Sequence, residues 1–264
     1  MTPPTSDRGV AALAAARAGA DVAFDWFRSD PAVETKSGPT DFVSEADRAS
    51  QRAVLSVLEE RAPEEAVVAE EDGLDGAVPP DGPAWVVDPI DGTTNYVRGV
   101  PVWTVSVAAV VDGDPVASAT VCPALGDEVV SDGDTLARNG EPASVSDRTD
   151  PATFDAAPLL RWADDAGRAA YGAVAGAVLE HFDDLRRYGS AQFTLAAVAT
   201  GGLDAAVTPV TGAPWDTLAG VHQIRAGGGT VTDVHGDRWR HDADGLVASN
   251  GRAHDSALAA VREE

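Results

Sequence analysis

The stretch Trp85-Val86-Val87-Asp88-Pro89-Ile90-Asp91-Gly92-Thr93-Thr94-Asn95 decides how this chain is read. Ala84 to Val87 is a short apolar run of the kind that forms a buried strand, and it delivers Asp88 to its end. Pro89 fixes the backbone there, Asp91 follows two residues later, and Gly92 permits a close approach. Two carboxylates with intervening backbone carbonyls can converge on a hard, oxygen-seeking cation such as Mg2+. Gly92, Thr93 and Thr94 stand where a short helix can begin, so their amides could bind a phosphate oxygen. On this stretch alone a blander reading stays open. Asp-Pro and Asp-Gly are common turn dipeptides, and Thr94 or Asn95 can merely cap a helix.

Two acids elsewhere occupy matching settings. Glu70 ends a short strand candidate, Ala66 to Ala69, and Asp216 follows Trp215 at the start of a helix, with Gly212-Ala213-Pro214 before it and Ala219-Gly220 after it. Four acids at strand ends and helix starts form a candidate site for more than one divalent ion. Asp47 lies three residues after Ser44 in a capping-box-like arrangement that opens a helix carrying Ala46, Val54, Leu55 and Leu58 inward.

The rest of the chain fills in around these segments. The spacing of Val10, Leu13, Ala14, Val22, Phe24 and Phe27 predicts a first helix over Arg8 to Phe27 with these residues on its one buried face, ended by Ser29-Asp30-Pro31. Trp103 to Val111 and Pro115 to Cys122 flank the turn Asp112-Gly113-Asp114 and read as a hairpin, with antiparallel sheet continuing from Asp127 to Val145. Beyond Arg148 helices and strands alternate: a helix over Ala166 to His181, a strand near Leu185, a helix over Ser190 to Thr200 and a strand over Leu203 to Thr208. A helix over Trp215 to Ala226, strands at Thr230 to Asp233 and near Leu246, and a last helix to Val261 complete the series. The expectation is one globule with a soft boundary: an α+β part with antiparallel sheet over 1–150 and an α/β part over 151–264 that contributes Asp216.

Composition narrows the function. The chain has 264 residues, 44% of them apolar, and a formal charge of −24. That charge argues against a general nucleic-acid or anionic-membrane binder, because phosphate backbones need a basic surface. Lys36 is the only lysine and every other cation is an arginine, while acids crowd the loops at Glu70-Glu71-Asp72, Asp164-Asp165 and Asp183-Asp184. This pattern suits a high-salt cytoplasm, where a Debye length of about 3 Å mutes repulsion between surface carboxylates. The N-terminal stretch resembles neither a signal peptide nor a membrane span, so a cytoplasmic location is expected. Cys122 is the only cysteine, which excludes an internal disulfide framework or a cysteine-built zinc site, and it is read as a small apolar filler. His181, His222, His235, His241 and His254 show no paired ligand spacing and receive no catalytic role.

With these residues assembled, the sequence resembles the inositol monophosphatase family of lithium-sensitive, magnesium-dependent phosphatases. The resemblance rests on Lys36 with Thr40-Asp41 and Glu45-Ala46-Asp47, on Glu70-Glu71, and on Asp88 to Tyr96; it continues with Gly189-Ser190-Ala191, Trp215-Asp216, Ala219-Gly220 and Ala226-Gly227-Gly228. It implies a layered α-β-α-β-α sandwich with the site between its parts. It implies that Glu70, Asp88, Asp91, Asp216 and the Ile90 carbonyl hold two or three Mg2+ ions. It further implies that Asp47 and Thr93 orient the attacking water, with Glu70 holding the metal that bears it. The amides of Gly92 and Thr93 would hold the phosphate, and Asp91, Gly189, Ser190, Ala191 and Asp216 would border the substrate. Lys36, unusual as the sole lysine, is placed near the metals.

The expected activity is direct hydrolysis of a phosphate monoester on a small polyol or sugar, since the pattern offers no Ser, Cys or His nucleophile to be phosphorylated. Inositol-selective members resemble one another in a glutamate shortly before Trp-Asp. This chain reads Val207 to Pro214 there with no acid, so fructose 1,6-bisphosphate or a broad range of esters is expected beside inositol 1-phosphate. A nucleotide or NADP phosphatase, and a non-catalytic sensor of metal or phosphometabolite on the same fold, are the alternatives. Arg186 and Arg187 could reach a second phosphate or simply face solvent. A homodimer is expected, as such enzymes commonly pair.

Overall fold

The computed structural model describes residues 6–28, 33–35, 42–71, 73–74, 76–159 and 164–262. Lys36, Thr40, Asp41 and the side chain of Ser44, on which expectations were placed above, lie outside what is described. The first half runs α1 (Asp7–Trp26), β1 (Val33–Thr35), β2 (Phe42–Ser44), α2 (Glu45–Arg61), β3 (Ala66–Ala69), β4 (Pro83–Asp91) and α3 (Thr93–Val97). Then follow β5 (Thr104–Val111), β6 (Asp114–Cys122), β7 (Asp127–Asp132), β8 (Thr135–Arg138) and β9 (Glu141–Pro142). The second half runs β10 (Asp155–Pro158), α4 (Asp165–His181), β11 (Asp184–Leu185), α5 (Ala191–Ala199), β12 (Ala205–Thr208), α6 (Pro214–Ala226), β13 (Thr230–Thr232), β14 (Leu246–Ser249) and α7 (His254–Arg262).

Burial parity sorts these elements into five layers. On β4 and β5, Trp85, Val87, Val105 and Val107 face one way and pack with the alanines of α1 and with Val54 and Leu58 of α2. Val86, Ala108 and Val110 face the other way and pack with Leu195 and Val198 of α5 and Leu218, Val221 and Ile224 of α6. The same helices touch Ala157, Ala206, Leu246 and Ala248 of the second sheet. The outer face of that sheet is covered by Val174 and Val178 of α4 and by Ala257, Leu258 and Val261 of α7. The order is thus α1/α2, a seven-stranded sheet, α5/α6, a five-stranded sheet, and α4/α7, the expected α-β-α-β-α sandwich.

The seven-stranded sheet has order β3-β4-β5-β6-β7-β8-β9, with β3 parallel to β4 and the other pairs antiparallel. The five-stranded sheet, order β11-β10-β12-β14-β13, is mixed: β10, β11 and β12 are parallel, and β14 runs against β12 and β13. Three details differ from the sequence expectation. β10 and the short β1–β2 pair were not anticipated, being only three or four residues long without a clear period. The strand expected to end at Asp88 continues through Pro89 to Asp91. Its backbone is not a turn there but an irregular strand.

The buried face of α1 is not the expected one: Val10 and Phe24 are exposed, and the buried residues of the helix are all small, Gly9, Ala11, Ala12, Ala15, Ala16, Gly19, Ala20 and Ala23, which allow close approach. A Cβ on Gly19 would come within 2.6 Å of Val54, so α1 and α2 sit at closest approach. Ser6 caps the helix by accepting from the Gly9 amide. Among the described residues no helix is long and apolar enough to cross a membrane.

Candidate active site

In a regular strand, residues three apart point to opposite faces, so Asp88 and Asp91 should not meet. In β4 they do. Asp88 pairs with Ser106 and Asp91 with Thr104, so Pro89 and Ile90 together oppose the single residue Val105. This bulge inserts one residue and restores parity, turning both carboxylates toward α5 and α6. Ile90 points the other way into the α1/α2 core. The bulge is fastened on both sides, by Ser50 of α2 donating to the Pro89 carbonyl at 2.9 Å and by the Asp88 side chain accepting from the Ile90 amide at 3.1 Å.

The turn after β4 demands a glycine. Gly92 has φ 92°, and a Cβ there would lie 3.1 Å from the Ser190 Cβ and 3.2 Å from the Val102 carbonyl. α3 begins directly after it. The Thr93 hydroxyl donates to the Ile90 carbonyl at 3.1 Å, and the Asn95 amide donates to the carbonyls of Val102 and Tyr188, both at 2.7 Å. Asn95 thereby ties the turn to the segment carrying Gly189, Ser190 and Ala191.

That segment presents the N-terminus of α5 to Asp91. The Ser190 hydroxyl donates to Asp91, the Gln192 amide donates to the same carboxylate oxygen at 2.6 Å, and Ser190 also caps the helix by accepting from Phe193. Asp216 is supplied by the first turn of α6. Ligand oxygens of Asp88, Asp91 and Asp216 lie within 4.8 Å of one another, a grouping that could hold a metal ion.

Electrostatics single out the same cluster. Asp88 is buried, and desolvation pushes its carboxyl well above the usual range, with Glu70, Asp91, Asp216 and Asp47 each raising it further. Asp91 is also raised by burial, opposed by hydrogen bonds from Ser190 and from the amides of Gln192, Ala191 and Phe193. Glu70, half-buried at the end of β3, and Asp47, buried in the first turn of α2, therefore both act on this centre. An all-oxygen, anionic donor set with a strained protonation state suits a hard divalent cation.

Other candidates fall elsewhere. Arg186 is held by Asp184 and Asp155, and the Arg187 guanidinium lies 5.6 Å from the centre of the Tyr171 ring. Cys122 is buried, its thiol pushed up to about 11 by burial, which fits a packing role. His222 is buried in α6 and bonded through Nδ1 to Ser131 at 2.6 Å. Supporting residues that carried no signal in the sequence are Ser50, Gln51 and Gln192. Gln51 donates to the Glu71 carbonyl at 2.9 Å and accepts from the Glu71 amide at 3.0 Å, fixing the chain beside Glu70.

Known proteins match the chain over most of its length. The inositol monophosphatase family profile matches residues 6–264. The chain is similar to fructose-1,6-bisphosphatase/inositol-1-monophosphatase of Thermotoga maritima, 32% identical over 243 residues covering 90% of this chain and 89% of that protein. It is similar to Nus factor SuhB of Escherichia coli, 30% identical over 264 residues covering 97% and 95%. Among solved structures, the Thermotoga maritima IMPase aligns with a TM-score of 0.83 at 28% identity, covering 94% of each chain. By sequence, fold and relatives, the chain belongs to the inositol monophosphatase family.

Proposed function

We propose that this chain hydrolyses the phosphate monoester of a small polyol or sugar at the cluster of Asp88, Asp91 and Asp216, with inositol 1-phosphate and fructose 1,6-bisphosphate as the leading substrates. The observation that carries the reading is the convergence of three carboxylates, two of them buried, from the two halves of the chain. Glu70, Asp88, Asp91, Asp216 and the Ile90 carbonyl would hold two or three Mg2+ ions. Bound there, such ions would neutralise the phosphate dianion, lower the pKa of a water and favour departure of the alkoxide.

The chain's own groups do the positioning. Thr93, whose hydroxyl rests on the Ile90 carbonyl, and Asp47 form the pair that aims the attacking water and takes its proton. The amides of Gly92 and Thr93 receive the phosphate oxygens, while Gly189, Ser190 and Ala191 form the wall behind Asp91. Ser190 and Ala191 act there chiefly through Asp91, since the Ser190 hydroxyl is already engaged with it. Water adds at phosphorus, the ester oxygen leaves, and the products are an alcohol and inorganic phosphate.

The lack of any acid between Val207 and Pro214 supports a sugar bisphosphate or a broad ester range over strict inositol selectivity. The name of the Thermotoga relative supports the same pairing of substrates. The acidic composition, with arginine in place of lysine everywhere but Lys36, supports a salt-rich cytoplasm of archaeal type, and we expect a homodimer. A second reading is supported by the likeness to a Nus factor across 97% of the chain: a role in which catalysis is dispensable and the fold serves as a binding protein.

The test is phosphate release from inositol 1-phosphate, fructose 1,6-bisphosphate, NADP and 3′-phosphoadenosine 5′-phosphate in molar KCl, with Mg2+ or with EDTA. EDTA-sensitive release, absent from Asp216→Asn, is expected. No release from folded protein with any of these esters would shift the conclusion to the binding role.

A further inference from the structure

We propose that Gln192 is a positioning residue that locks Asp216 to Asp91 across the two halves of the site, setting the spacing of the carboxylates before any ion arrives. The inference rests on the metal-site reading above. Gln192 has no exposed surface, and its polar groups reach three residues on two other elements. Its backbone amide donates to Asp91 on β4 at 2.6 Å, and its side-chain Nε2 donates to the Trp215 carbonyl at 2.5 Å. Its Oε1 accepts from the Gly220 amide at 2.9 Å.

Trp215 and Gly220 bracket Asp216 on α6, so the glutamine grips the helix immediately before and one turn after the acid. α6 needs such a grip. Its N-cap is Ala213, which supplies no side-chain hydrogen bond; the Asp216 amide and the Thr217 hydroxyl donate to the Ala213 carbonyl at 3.1 and 3.3 Å, and these bonds close the first turn without tying it to α5. The spacing of the two helices is already at its minimum, because a Cβ on Gly220 would lie 2.3 Å from the Leu195 Cβ, one turn along α5 from Gln192. With the distance set by Gly220 and Leu195, and with Ser118 and Ser131 holding the middle of α6 to the sheet, the two side-chain bonds of Gln192 fix α6 to α5 on either side of Asp216.

The acids themselves oppose the arrangement. The ligand oxygens of Asp88, Asp91 and Asp216 lie within 4.8 Å of one another, and like-charged groups held that close favour any movement of α6 that separates them. A fixed glutamine bridge prevents that and keeps the oxygens within reach of one cation, which is preorganisation of a ligand set by its supporting residues.

Full-length Gln192→Met, which keeps the volume without the hydrogen bonds, and Gln192→Asn, which keeps an amide too short to span Trp215 and Gly220, test the proposal in molar KCl. Mg2+ binding is followed by titration calorimetry and by the Mg2+ dependence of the melting temperature, alongside kcat and KM for phosphate release. The expected result is about a tenfold or greater rise in the Mg2+ concentration for half effect in both variants, with KM at saturating Mg2+ within about twofold of the unaltered protein. A melting temperature lowered equally in EDTA and in saturating Mg2+, with unchanged Mg2+ affinity, would mean a purely structural role and overturn the proposal. Should Gln192→Met fail to fold, Gln192→Asn decides alone, and Mg2+ binding equal to that of the unaltered protein overturns it. Absence of Mg2+ binding by the unaltered protein would instead refute the metal site and take this inference with it.

Discussion

Asp88 concentrates the conflict on which the site is built. Its carboxyl is raised by burial and by four neighbouring acids, so the folded metal-free protein holds a proton that the unfolded chain releases. A raised acid costs stability as pH climbs above the ordinary carboxylate value near 4, and the loss is complete above the folded-state value. In EDTA at pH 7, Asp88→Asn should therefore melt above the unaltered protein, with the difference closing toward pH 4. In saturating Mg2+ the order should reverse, because ligand binding to the folded state no longer contributes. The same order in both conditions would remove Asp88 from the ion site. Gly92→Ala should cost about 1–3 kcal/mol in urea unfolding, since alanine must adopt φ 92° against the Val102 carbonyl. At this scale the acids were legible because Asp88, Asp91, Glu70 and Asp216 stand at element ends in a recurring setting. The residues that aim them were not: a lone glutamine such as Gln51 or Gln192 creates no period or spacing, and its partners lie 20 or more residues away.

At the scale of elements, α6 is joined to the seven-stranded sheet by a buried polar seam. Ser118 donates to the Ala219 carbonyl at 3.0 Å, Ser118 and Ser131 share a bond of 2.7 Å, and Ser131 meets His222 Nδ1. With the Ser118 proton spent on Ala219, Ser131 donates to Ser118 and accepts from His222, which makes the imidazole the neutral Nδ1–H tautomer. Burial lowers His222 to about 4, and Arg225 adds to the effect. The unfolded histidine takes up a proton below about 6.5 that the folded one refuses, so stability is lost as pH falls from there toward 4, by up to about 3 kcal/mol. His254, also lowered by burial, contributes in the same direction. Denaturant unfolding at pH 7 and pH 5 should show this loss, and His222→Gln should reduce it; an equal loss in the variant would assign it elsewhere. Helices and long strands could be read from periodicity. The bulge could not, because Asp88-Pro89-Ile90-Asp91 has the composition of a turn and only pairing with β5 reveals that the strand continues.

Over the whole molecule, 43 acids against 19 lysines and arginines leave each cation several possible partners. Arg8 grips Glu65 through two bonds of 2.9 and 2.8 Å, Arg17 holds Glu128, Arg138 holds Asp127, and Arg238 and Arg240 converge on Asp114. Such surface pairs contribute little individually and are weakened by salt, whereas the repulsion among the excess carboxylates is weakened too and is the larger quantity. The melting temperature should accordingly rise from dilute buffer to molar KCl. No change would argue against adaptation to high salt. The layered fold was legible from motif order and from the switch between hairpin and alternating patterns, while the packing distance of α1 was not, since a run of alanines announces a helix but not which face is covered. That face of alanine and glycine has a thermal consequence. Coming off the sheet, the helix bares little hydrocarbon of its own but uncovers Trp85, Val87, Val105 and Val107, and hydrocarbon exposure is what gives unfolding its large heat capacity. The enthalpy and entropy of releasing α1 therefore change with temperature chiefly through what the helix covers, so its contribution to stability weakens in the cold.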